Sequence, residues 1–164
     1  MDFEERFDRI ESQLNEAQPP SWSAICATLD FPDERWRNHD PADALAAFRA
    51  VWQQHVADWT DVTALWLGIQ TDGTTSYLCP IAYGSLDDTG FPNDHNWHGV
   101  DIDSADLAAF AGYFEEDHDN NAYNYWAPLA WTGLMVRLLA PAPPTVTVLA
   151  GFAGGDWLTF PPTA

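Results

Sequence analysis

Val62-Thr-Ala-Leu-Trp-Leu-Gly-Ile-Gln70, Thr71-Asp-Gly-Thr74 and Thr75-Ser-Tyr-Leu-Cys-Pro-Ile-Ala-Tyr83 follow one another without a break. The two outer stretches are rich in β-branched, aromatic and other apolar residues, the composition of extended chain. Asp72-Gly73 between them supplies the positive φ of a tight turn, so 62–83 reads as a β-hairpin. The chain before it reads as helical, and the chain after it opens into a long acidic loop.

Upstream, Phe3, Phe7, Ile10 and Leu14 recur at helical spacing, and Asp2 with Glu5 resembles a capping box. A first helix is predicted over 2–18, stopped by Pro19-Pro20. Trp22, Ile25 and Leu29 share one face of a second helix over 21–29, and 31–39 reads as an irregular connection. Asp40-Pro41-Ala42-Asp43 has the form of a helix start, with an Asp cap and Pro at the first helical position. The third helix then presents Leu45, Phe48, Val51, Trp52, Val56 and Trp59, with His55 beside that stripe as a structural residue.

Downstream, 84–100 is rich in Gly, Asp, Asn and Pro, with Phe91, Trp97 and two histidines embedded, and reads as an unstructured loop. Long loops in compact domains carry function more often than short ones do. Asp103 and Asp106 start a fourth helix whose inward face is Leu107, Phe110, Ala111 and Phe114. It ends in Glu115-Glu-Asp-His-Asp119, carboxylates that oppose the helix macrodipole at that end. Pro128 opens a fifth helix through Leu139, although Gly133 and Val136 weaken the pattern. Pro141-Ala-Pro-Pro144 is a stiff connector, and 145–150 with 156–160 form a second hairpin. The expected fold is α+β: N-terminal helices packed on a small antiparallel sheet built from two hairpins, with one or two further helices between the hairpins. At 164 residues the chain fits a single domain over 1–164.

Hydrophobic residues make up 46% and aromatic residues 14%, with nine Trp, which argues for a packed core rather than disorder. Six Arg and no Lys face 25 Asp plus Glu, giving a formal net charge of −19. No Arg or Lys occurs between Arg49 and Arg137, an interval that carries 13 of the 25 acids, from Asp58 to Asp119. Such a surface repels nucleic acid and anionic lipid and attracts basic proteins over about 8–10 Å at moderate salt. The same acidity also fits a domain of unknown activity adapted to a salt-rich cytoplasm. Met1-Asp-Phe-Glu-Glu5 lacks the basic-then-apolar form of a secretory leader, and no apolar run nears the ~20 residues of a membrane span. A soluble, cytoplasmic protein is expected, with Cys26 and Cys79 as buried free thiols, or alternatively as a disulfide joining helix to hairpin.

Catalytic signatures are missing: no G-x-S-x-G is present, and Gly151-Phe-Ala-Gly-Gly155 is not followed by the helix and Lys of a phosphate-binding loop. With so many acids, no carboxylate pair stands out for acid–base work, and no cofactor is indicated. One alternative is a metal-dependent enzyme. His95 and His98 have the spacing to share a zinc, with Asp101 or His118 completing the set. The first reading is an acidic binding or inhibitory protein whose partner is basic. Tyr and Trp among carboxylates suit an interface that receives Arg or Lys. The predicted binding residues are Asp87, Asp88, Asp94, Trp97, Asp101, Glu115, Glu116, Asp117, Asp119, Tyr123 and Tyr125. In composition, though in no motif, the chain resembles the small acidic immunity proteins that neutralise bacterial toxins, and nucleic-acid mimics that plug basic nuclease sites.

Overall fold

Helix ends in this chain are set by short-range chemistry. In the computed structural model, residues 3–29, 34–38, 40–56, 63–71, 76–83, 86–90, 97–99, 123–139, 146–152 and 157–161 are described. They form a mixed α+β arrangement of helices and a sheet. Helix α1 spans Phe3–Leu14 and buries Ile10 and Leu14, one turn apart, with Phe7 half-buried. It stops short of the predicted end at Gln18. Asn15, Glu16, Ala17 and Gln18 are all exposed, so no burial offsets the entropy of ordering them as helix. The Glu16 N–H instead donates to the Gln13 carbonyl at 3.3 Å, a tightened final turn.

Helix α2 spans Trp22–Leu29 and buries Trp22, Ile25, Cys26 and Leu29. Its cap is Ser21, whose Oγ accepts from the Ala24 N–H at 3.2 Å. A single turn, α3 (Glu34–Arg37), interrupts the stretch expected to be irregular. Helix α4 spans Pro41–Val56, with Asp40 Oδ1 accepting from the Ala42 N–H at 2.9 Å. Pro41 is buried at the first helical position, where a missing N–H removes no intrahelical bond. Ala44 and Phe48 enter the core and Leu45 packs against it. The side chains of Val51, Trp52, His55 and Val56, and the whole of Trp59, lie outside the described residues. Asp40→Ala is expected to lower stability by about 1 kcal/mol, the usual cost of a lost cap, and Asp40→Asn by far less. Urea titration of the two variants checks this.

Strands β1 (Ala64–Thr71) and β2 (Ser76–Tyr83) pair antiparallel, in register from Ala64↔Tyr83 to Thr71↔Ser76. The predicted Asp72-Gly73 turn between them lies outside the described residues. Strand β3 (Trp97–Gly99) pairs antiparallel with Ile81–Tyr83 of β2, where the sequence suggested only loop. Strands β4 (Thr147–Phe152) and β5 (Trp157–Phe160) pair antiparallel with each other. The order is β3-β2-β1-β4-β5. The expectation of a wholly antiparallel sheet is corrected at its centre: β4 runs parallel to β1, from Ala64↔Thr147 to Ile69↔Phe152. The Thr147 N–H donates to the Thr63 carbonyl at 3.0 Å where this ladder begins. Parallel neighbours need a long crossover, and the chain between β1 and β4 supplies one that includes a helix on the sheet face.

That helix is α5, Tyr123–Leu139, and the core is arranged about it. Every residue from Trp126 to Val136 is buried, as expected of a helix that is apolar all round. It lies on β4, with further contacts to β1 and β5, and its remaining sides meet α4, α1 and α2. The N-terminal helices therefore make their main contacts with α5, not directly with the sheet as the sequence suggested. The predicted start at Pro128 is also corrected, because the helix begins at Tyr123 with Pro128 inside it. Proline cannot donate to the Asn124 carbonyl, a cost of ~3 kcal/mol in a helix interior. Burial of Trp126, Ala127 and Leu129 offsets that cost, at roughly 1.5–3 kcal/mol for each large apolar side chain.

Alternate positions of the strands divide between two faces. Leu65, Leu67, Val148, Ala150, Leu158 and Phe160 join the main core with α5. Ala64, Trp66 and Leu149 form a second, smaller cluster with half-buried Leu86 and Trp157. Trp66 is thus buried, but apart from the main core. A Cβ on Gly68 would come within 2.6 Å of the Trp66 indole, so that ring lies along its own strand in space that only glycine leaves open. β1 is apolar on both faces because both are covered.

Candidate acidic interface

Within the segment joining β2 to β3, residues 87–90 form a turn held by Asp87. Its Oδ1 accepts from the Thr89 N–H at 2.8 Å and from the Thr89 hydroxyl at 2.6 Å, and its carbonyl accepts from the Gly90 N–H at 3.0 Å. Asp side chains stabilise turns in this way, and Gly90 closes this one at φ 81°, a conformation side chains disfavour. Asp87 and Asp88 are both exposed. Of the predicted binding residues these two have described side chains, and the structure places them on one ordered turn. The Thr89 and Gly90 contribution went unremarked in the sequence, though Asp-x-Thr-Gly is a readable turn pattern.

Trp97 and His98 are strand residues, registered opposite Tyr83 and Ala82 at the outer side of β2. Tyr123 and Tyr125 occupy the first turn of α5. Neighbouring Trp126 is 3% exposed and belongs to the main core. α5 packs on β4, and the strand order puts β3 three strands from β4, about 14 Å at the usual spacing. Asp94, His95, Asp101, Glu115, Glu116, Asp117, His118 and Asp119, with the predicted fourth helix, lie outside the described residues. Among the described residues no three His, Cys, Asp or Glu side chains gather as a metal site.

The two cations that bound the acidic interval are both bonded to backbone at helix ends. Arg49 Nη2 donates to the Leu138 carbonyl at 3.0 Å, in the last turn of α5. Arg137 Nη2 donates to the Glu16 carbonyl at 2.6 Å, just past α1. Helix C-termini carry unsatisfied carbonyls and partial negative charge, so a guanidinium there is stabilised twice, by hydrogen bond and by dipole. These contacts tie α4 to α5 and α5 to the end of α1.

Cys26 is a free thiol, 4% exposed and packed in the main core. Burial pushes its pKa up from 9.0 to about 11; the nearby Arg37 opposes the rise and Asp40 adds to it. Because the folded value is the higher one, the contribution to stability is whole below pH 9. It falls as the pH climbs toward 11, where the unfolded chain ionises first. At about 1.4 kcal/mol per unit, the loss across that window reaches roughly 2–3 kcal/mol. Stability measured from pH 8 to pH 11 is expected to fall more steeply in the native protein than in Cys26→Ala, which shares every other ionising group. Equal slopes would show that the buried thiol does not contribute.

Among the described residues no helix is long and apolar enough to cross a membrane. No protein-family model matches the chain, and no match was found among the curated proteins or the solved structures.

Proposed function

We propose that this is an acidic binding or inhibitory protein that neutralises a basic protein partner, in the manner of bacterial immunity proteins or nucleic-acid mimics. The observation that carries the reading is the charge distribution: a net −19, with no Arg or Lys between Arg49 and Arg137. Both bounding arginines are bonded to helix-end carbonyls, which supports a division between a cation-bearing helical layer and an acidic remainder. The exposed Asp87–Asp88 turn supports it as well, since an ordered carboxylate loses little entropy on meeting a Lys or Arg.

In this reading the N-terminal helices and the two hairpins are the frame, and the acids from Asp87 to Asp119 are the working surface. The field of that surface steers the partner's cationic cleft and raises the association rate, while Trp97, Tyr123 and Tyr125 add short-range contact. The protein acts in the cytoplasm, where an endogenous nuclease or toxin is the partner class.

The test starts with affinity capture from the source organism's lysate, washed at low and then high salt. One basic protein, retained at low salt and released by high salt, is expected. The captured partner is then titrated against a variant carrying Asp94→Asn, Asp101→Asn, Glu116→Gln and Asp119→Asn. Affinity is expected to fall at least ~10-fold, with a flatter salt dependence, because each close charge pair contributes on the order of 1.5 kcal/mol or more. Unchanged affinity and salt dependence would remove the basis of the proposal.

A further inference from the structure

No further inference is drawn: the strongest candidate, the exposed acidic turn at Asp87 and Asp88 in the connection between β2 and the outer strand β3, belongs to the surface already described, and no second observation there points to a ligand.

Discussion

Trp131→Ala is expected to lower the unfolding free energy by about 3–5 kcal/mol, the range for truncating a large buried aromatic residue. Trp131 has no exposed surface and sits in the middle of α5, the helix that meets both the sheet and the N-terminal helices. A cavity at that point weakens both contact layers at once. Against a typical total of about 5–15 kcal/mol, the loss is roughly a fifth or more of the whole stability. In urea the midpoint should move sharply down while the slope stays constant, since the surface exposed on unfolding is nearly unchanged. Trp131→Phe, which keeps a ring in place, is expected to lose less than half as much. A loss below ~1 kcal/mol in the alanine variant would mean that α5 is not the centre of the core.

Gly133→Ala tests the same helix from the opposite direction. In an exposed helix this change stabilises by about 1 kcal/mol, because glycine is the poorer helix former. At Gly133 the new methyl would lie 2.6 Å from Leu14 Cδ1 and 2.7 Å from Leu158 Cδ1, with Phe160 Cζ at 3.5 Å. A single leucine tip can rotate away where there is room. Leu14 and Leu158 are 0% and 1% exposed, in a core that leaves them little room. Overpacking of this kind costs about 1–3 kcal/mol, so the net expectation after the propensity gain is a loss of up to about 2 kcal/mol. The decisive control is the same substitution in a Leu14→Ala background. There the Leu14 contact is gone while Leu158 Cδ1 at 2.7 Å remains, so the loss from Gly133→Ala should shrink, a coupling visible in a double-mutant cycle. Stabilisation in the native background would show that α1 does not press on α5 here.

Much of the local structure was legible in the residues. Asp40-Pro41 announced the start of α4, and the spacing of Trp22, Ile25 and Leu29 marked the buried face of α2. Caps and faces are decided within one or two turns, by side-chain oxygens and by helical periodicity. The stretches read as extended at 62–70 and 75–83 carry β1 and β2. Strand β3 escaped notice because three residues cannot show a period. Of the candidate surface, the acidic loop was legible from composition, whereas the Asp87 turn within it and the pairing of Trp97 with Tyr83 are seen in the structure alone.

The sequence by itself determined the charge, the absence of lysine, the caps and the positions of the strongest helical and extended segments. Each depends on composition or on neighbours a few residues away. Tertiary structure alone decided that β4 lies parallel beside β1, that Trp66 and Trp126 are buried in different clusters, and that α5 is central. Pro128 and Gly133 count against a helix when judged by propensity. The burial of Trp126 to Val136 outweighs that penalty, and the approach of Leu14 and Leu158 leaves room for nothing larger than glycine at 133. Partners well outside the helix, Leu158 downstream and Leu14 more than a hundred residues upstream, set those terms, which is why local propensity could not reveal them.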